Sequence, residues 1–166
     1  MRLTEELKYR NLIYDVTDEK IYDVLDNQKV SFYLGADPSS DSLHVGHLVT
    51  YLLAKKLAKH GHQPILLIGG GTGLIGDPSG RNSERVLLDL EVTKANGLAL
   101  EKQVKQLLPK AIIVNNYDWL KTYDIITFLR DVGKHFNINT MLAKDSVKSR
   151  MADGISCTEF TYQIIQ

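Results

Sequence analysis

Residues 31–68 read SFYLGADPSSDSLHVGHLVTYLLAKKLAKHGHQPILLI. Ser31 to Gly35 reads as a strand that runs into a turn, Ala36-Asp37-Pro38-Ser39. A helix follows from about His44 to His60, with Leu48, Tyr51, Leu52 and Ala58 on its apolar side. Lys55, Lys56 and Lys59 fall in its last turns, where cations suit the carbonyl end, and Gly61 stops it. Gln63 to Ile68 is a short apolar run, expected to be a strand buried on both faces.

Working outward, residues 4–12 and 18–26 read as short helices, the second opened by Asp18 in a capping position. Gly69 to Asn82 is a long glycine-rich loop. Asp89 to Leu108 reads as a helix anchored by Leu90, Leu98, Val104, Leu107 and Leu108, and Ala111 to Val114 as a third strand. Helical patterns follow at roughly 123–136, 140–150 and 158–166. Strand, helix, strand, helix, strand is the order of an α/β fold, a parallel sheet with crossover helices. Such sheets take ligands beyond the carboxyl ends of their strands. Two of those ends, Gly35 to His47 and Gly69 to Arg85, carry the unusual chemistry.

Composition narrows the classes. With 20 Lys+Arg against 20 Asp+Glu the formal charge is zero, so there is no sign of a broad basic nucleic-acid surface. The 43% hydrophobic content is that of a soluble globular protein. No apolar run approaches the roughly 20 residues that span a bilayer. Met1 to Arg10 lacks the apolar core of a signal peptide, and the lone Cys157 forms no intrachain disulfide. A cytoplasmic location is expected, with Cys157 a small buried residue.

His44-Val45-Gly46-His47 opens a helix, whose free N–H groups and partial positive charge suit a phosphate. Two imidazoles there could add hydrogen bonds, and Gly46 would let a planar ligand approach the backbone. Surface histidines near a helix start fit the same spacing. No zinc site follows from two histidines three apart without a third ligand, and no metal ligand is assigned. In the second segment, Gly71-Thr72-Gly73-Leu74-Ile75-Gly76 matches the dinucleotide pattern G-x-G-x-x-G. Asp77-Pro78 would break the helix that pattern requires, and this is the second strand–helix turn rather than the first. Asp77 could hold an ammonium group or simply form a turn. Arg81 and Arg85 could close over a polyphosphate or belong to a solvated loop.

Together these residues resemble a known family. Tyr33-Leu34-Gly35-Ala36-Asp37-Pro38-Ser39 and Asp41-Ser42-Leu43-His44-Val45-Gly46-His47-Leu48 resemble the "HIGH" segment of class I aminoacyl-tRNA synthetases in its tyrosyl form. Thr72 to Gly80 with Ser83-Glu84-Arg85, and Asn115-Asn116-Tyr117-Asp118-Trp119, are similar to bacterial-type tyrosyl-tRNA synthetases. So are Phe128 to Phe136, Gly154-Ile155-Ser156 and Thr158-Glu159-Phe160. The likeness runs from about Val30 to the last residue in five ordered motifs.

The resemblance implies a Rossmann-like parallel sheet with crossover helices, the first half of a class I catalytic domain plus connecting helices. It divides the chain into N-terminal helices (1–30), a first nucleotide-binding half (31–114) and connecting, dimer-interface helices (115–166). It implies tyrosine activation by ATP with Mg2+ as substrate, no tightly bound cofactor, and transfer to tRNA(Tyr) by a homodimer. Catalysis of that kind works by positioning and charge stabilisation, without a covalent nucleophile.

By the same resemblance His44 and His47 contact ATP, and Ser39, where the family usually has Thr, touches the γ-phosphate. Arg81, where many members have Lys, forms with Arg85 the loop that closes on pyrophosphate. Gly35, Asp37, Gly46 and Thr50 line the ATP side. Tyr33 would bond the phenolic hydroxyl of tyrosine, while Asp77, Tyr162 and Gln166 hold its α-ammonium. A pocket built to bond that hydroxyl rejects phenylalanine because its polar groups would be left unpaired, a rule for which tyrosyl enzymes are the usual illustration. Leu34 stands where members often carry a small polar residue.

Family members continue past the position of Gln166 into the acidic partner of Tyr33, the "KMSKS" loop, the rest of the sheet and an anticodon-binding domain. The chain is therefore expected to be truncated and inactive alone. Two rival readings remain: a non-catalytic fragment or paralogue that keeps the nucleotide pocket, and an NAD-dependent oxidoreductase resting on the glycine run. Residues 123–160 are expected to form the dimer helices. Their apolar content (Ile125, Ile126, Phe128, Leu129, Val132, Phe136) also fits an intramolecular core.

Overall fold

The computed structural model describes residues 2–77, 87–151 and 154–166, without the side chains at 146, 149 and 150. Three strands, β1 (Ser31–Ala36), β2 (Gln63–Ile68) and β3 (Ile112–Asn115), form one sheet in the order β1-β2-β3. The sheet is parallel. Gln63 N–H donates to the Val30 carbonyl and Gly69 N–H to that of Ala36. Residue numbers on the paired strands rise together, as parallel pairing requires.

The crossovers are helices, as the strand order demands. They are α3 (Val45–Lys59) between β1 and β2, and α5 (Leu90–Leu107) between β2 and β3. The N-terminal helices are α1 (Leu3–Tyr9) and α2 (Lys20–Asn27); a single turn, α4 (Thr72–Ile75), follows β2. After β3 come α6 (Tyr117–Leu120), α7 (Ile125–Asp131), a 3-10 turn (Gly133–His135), α8 (Ile138–Leu142), α9 (Asp145–Met151) and α10 (Cys157–Ile165).

The chain divides into two compact units. The first comprises 1–35, 42–67 and 99–114; the second comprises 36–41, 68–98 and 115–166. In the first, Leu3, Leu7, Tyr51, Ala54, Leu66, Val104 and Leu108 are buried. Its helices α1 and α2 are joined by Asp26, whose carboxylate accepts from Thr4 N–H (3.0 Å) and Thr4 Oγ1 (2.6 Å). In the second, Ala36, Ile68, Met141, Val147 and Tyr162 are buried, together with the polar Thr72, Thr93, Asn116 and Glu159.

Several expectations need correction. Leu48 and Leu52 are exposed (39% and 49%); α3 turns Tyr51 and Ala54 inward instead. Apolar residues lie on more than one side of this helix, so periodicity alone left the inward side ambiguous. Leu98 is likewise exposed, because the buried face of α5 runs through Thr93, Gly97, Leu100 and Val104, with Leu108 buried just past its end. Gly97 has Ile68 Cγ2 only 3.2 Å from where its Cβ would be, so close approach selects the smallest residue there.

Only one set of β2 residues, Pro64, Leu66 and Ile68, is fully buried, and the other is half-buried. The glycine-rich segment contains the helical turn α4 rather than loop alone. The helix expected at 123–136 breaks into α7 and the 3-10 turn, and that at 140–150 is two helices, α8 and α9. Cys157 is exposed at the first residue of α10, not buried. Ile125, Ile126 and Leu129 are 66%, 70% and 54% exposed, so this face of α7 is not an internal core of the chain. Asp18 does serve the start of α2, accepting Lys20 N–H at 2.9 Å, one residue before the assigned cap Glu19.

Candidate active site

In the first unit the chemistry gathers at the start of α3. His44 is the N-cap, with extended backbone, and its Nδ1 accepts from Gly46 N–H at 3.1 Å. His47 reaches back, its Nδ1 accepting from His44 N–H at 3.3 Å. Two of the helix's unsatisfied N–H groups are thus met by two imidazoles in a reciprocal capping arrangement. The rings lie 4.0 Å apart between centroids, tilted by 41°.

An imidazole that accepts at Nδ1 carries its proton on Nε2. Both neutral rings therefore point an N–H donor away from the backbone, suited to an anionic or polar ligand. Burial, and then the neighbouring His44, lower the pKa of His47 below its ordinary 6.5, which favours this neutral form. Gly46 is needed for a reason the sequence did not disclose. A Cβ there would sit 2.9 Å from Cε1 of His44, inside the ring that caps the helix.

Leu43 N–H is held by Gln103 Oε1 from α5 at 3.0 Å, which ties down the segment entering the helix. A cavity of about 300 Å3 opens beside His44, walled by Val45, Leu48, Tyr51 and Gln103. Burial raises the Tyr51 phenol to about 12. Thr50 is exposed on α3, and Tyr33 is 70% exposed on β1. Gly35 would bring a Cβ only to ordinary contact with Leu67, 3.6 Å away.

In the second unit the centre is Asp37. Its Oδ1 accepts from Thr72 Oγ1 at 2.6 Å and its Oδ2 from Tyr162 Oη at 2.8 Å. Asn116 Nδ2 donates to Thr72 Oγ1 at 3.0 Å, while Asn116 Oδ1 accepts from Gly71 N–H at 2.7 Å. Thr72, Asn116 and Tyr162 are 2%, 3% and 5% exposed. A buried polar chain of this kind persists only when its members satisfy one another.

The glycine run makes room for that chain. A Cβ on Gly69 would fall 1.9 Å from Asp37 Oδ1, and one on Gly70 2.3 Å from Asn115 Oδ1. On Gly71 it would meet Leu120 Cδ1 at 2.8 Å. Gly76 ends α4 with φ at +88°, so the third glycine of the dinucleotide pattern lies past the helix rather than inside it. The oxidoreductase reading loses its structural requirement there.

Of the remaining expected residues, Asp77 is half-buried directly after Gly76. Ser39 is exposed after β1, its N–H donating to the Asp37 carbonyl. Gln166 is exposed at the end of α10, its N–H donating to the Tyr162 carbonyl. Arg81 and Arg85 lie outside the described residues. Asp37 had been expected on the ATP side and Tyr162 on the ammonium side; the structure joins them by a hydrogen bond. The sequence reading assigned no role to Thr72 or Asn116. A signal existed for Asn116, which follows the carboxyl end of the third strand, a position that such sheets use for ligands.

Residues 25–166 match the family model described as tRNA synthetases class I (W and Y), and the chain belongs to that family. It is 50% identical, over 170 aligned residues, to the tyrosine–tRNA ligase of Staphylococcus haemolyticus (strain JCSC1435). That match covers 99% of this chain and 40% of the relative, so the chain spans well under half of the relative's length. A C-terminally truncated mitochondrial tyrosyl-tRNA synthetase from Aspergillus nidulans superposes with a TM-score of 0.89 at 31% identity. It is matched over 99% of this chain and 51% of its own. The corresponding truncated enzyme of Coccidioides posadasii gives a TM-score of 0.82 at 27% identity, over 99% of this chain and 49% of its own.

Proposed function

We propose that this chain supplies the first half of the catalytic domain of a tyrosine–tRNA ligase. The observation that carries the reading is the Asp37 carboxylate held between Thr72 and Tyr162, in a chain half identical to such a ligase. In the proposed reaction the tyrosine carboxylate attacks the α-phosphorus of ATP, supplied as its magnesium complex. A new carboxyl–phosphorus bond forms, the bond to pyrophosphate breaks, and the tyrosyl group then passes to the 3′ end of tRNA(Tyr).

In this scheme the Nε2–H groups of His44 and His47 meet ATP, with Gly35, Gly46 and Thr50 lining its site and Ser39 at the γ-phosphate. Arg81 and Arg85 neutralise the departing pyrophosphate. Tyr33 meets the phenol, and Asp77, Tyr162 and Gln166 meet the ammonium. Asp37 lines the ATP side too, and its hydrogen bond to Tyr162 supports a second place for it beside the ammonium. The exposed apolar face of α7 suits the symmetric dimer, and the setting is the cytoplasm. Among the described residues no helix is long and apolar enough to cross a membrane.

The test is tyrosine-dependent ATP–pyrophosphate exchange by the longest natural reading frame that contains this sequence, with phenylalanine as control. Exchange with tyrosine and not phenylalanine is expected. A folded, complete chain that exchanges with no amino acid would move the non-catalytic reading to the front.

A further inference from the structure

The direction of every proton in the buried chain follows from its chemistry. Asn116 is anchored at the end of β3, where its N–H donates to the Ile68 carbonyl at 3.0 Å. Its side-chain oxygen takes the Gly71 N–H, which fixes the opposite end of the amide as NH2. That NH2 occupies an acceptor site on Thr72 Oγ1, so the single hydroxyl proton of Thr72 goes to Asp37 Oδ1. The carboxylate is acceptor-only, so the Tyr162 proton is likewise committed to Asp37 Oδ2. Tyr162 thus meets a ligand with oxygen lone pairs, the polarity that an ammonium group, which only donates, requires.

We propose that Asn116 and Thr72 are positioning residues for ammonium recognition. Through two hydrogen bonds they orient the Asp37 carboxylate and, through it, present the Tyr162 hydroxyl as an acceptor. The inference rests on the tyrosine-activating role proposed above. It adds two residues that touch no substrate but select for an amine on it.

The experiment uses the full-length protein and three ligands: tyrosine, tyramine (ammonium without carboxylate) and 3-(4-hydroxyphenyl)propionate (carboxylate without ammonium). Thr72→Val keeps the shape and removes the hydroxyl. Asn116→Leu, close in size, removes the donor to Thr72 without adding a charge. Both variants should weaken tyrosine and tyramine about tenfold, the size of one lost charge-assisted hydrogen bond. Binding of the propionate should stay unchanged. Thr72→Ser, which restores the hydroxyl, should recover tyrosine binding to within about twofold.

Equal weakening of all three ligands would reduce the pair to a structural role and overturn the proposal. So would no change in any of them, or Thr72→Ser behaving like Thr72→Val. A wild-type protein that neither binds tyrosine nor exchanges with it would remove the functional reading itself. An active wild type lacking this amine-selective pattern would remove only the present inference.

Discussion

A methyl group on Gly69 would lie 1.9 Å from Asp37 Oδ1 and 2.5 Å from Thr72 Oγ1. Neither oxygen can yield without breaking the 2.6 Å hydrogen bond between them. Gly69→Ala is therefore expected to cost about 1–3 kcal/mol of stability, the usual penalty of overpacking. It should also weaken tyrosine binding by displacing Asp37, and denaturant unfolding alongside a tyrosine titration checks both. Unchanged values in the two assays would mean that the Asp37–Thr72 pair is not held as described. At this scale the sequence disclosed the residue types and not their relations. His44 could be singled out from its place at a helix start, Asp37 and Tyr162 only from the family resemblance. The Asp37–Tyr162 bond joins residues 125 positions apart, and the Asn116–Thr72 bond residues 44 apart. No local spacing rule reaches across such distances.

Helix starts were more legible, because a cap is a local device. Ser156 precedes α10, and its Oγ accepts Glu159 N–H at 3.1 Å. That helix carries Tyr162, so the cap also steadies a residue of the proposed site. Ser156→Ala should cost about 1 kcal/mol locally and Ser156→Gly only a few tenths. Hydrogen exchange reads this directly: the amide of Glu159 should exchange roughly fivefold faster in the alanine variant. An unchanged rate would show that the cap contributes nothing to this helix. What failed at this scale was the choice of inward face. Leu48, Leu52 and Leu98 are exposed although apolar, whereas Thr93 and Gly97 are buried although not. Burial on α5 goes partly to small residues that allow close approach to Ile68, and a hydrophobic-period count passes over those.

Within the first unit, α2, β1 and β2 meet at His62, which is 3% exposed at the start of β2. Its Nδ1 accepts from Val30 N–H at 3.4 Å and its Nε2 pairs with the Leu25 carbonyl at 3.1 Å. Burial first, then the charges of Lys29 and His60, lower its pKa below 6.5, against the raising effect of the Leu25 carbonyl. A group whose folded pKa is lowered stabilises the fold fully above its unfolded value. That stability is lost as pH falls through the folded value, where the unfolded chain binds the proton more tightly. Melting temperature should therefore fall as pH drops from about 8 to about 5, with the loss beginning near pH 6.5. His62→Leu should melt lower at neutral pH, with Val30 N–H and the Leu25 carbonyl unpaired, yet show a shallower acid slope; equal slopes would remove His62 from the account. By itself the sequence determined the strand–helix–strand–helix–strand order, the parallel α/β class, the helix-opening histidines and the exclusion of a dinucleotide helix at Asp77-Pro78. Each of these follows from short-range periodicity, capping chemistry or the missing N–H of proline. Only the tertiary structure decided which helix faces turn inward, why Gly46 and the run Gly69 to Gly71 admit no side chain, and that Asp37 belongs with Thr72, Asn116 and Tyr162. Those facts depend on contacts between atoms distant in the chain, and folding, not sequence spacing, brings them within hydrogen-bonding reach.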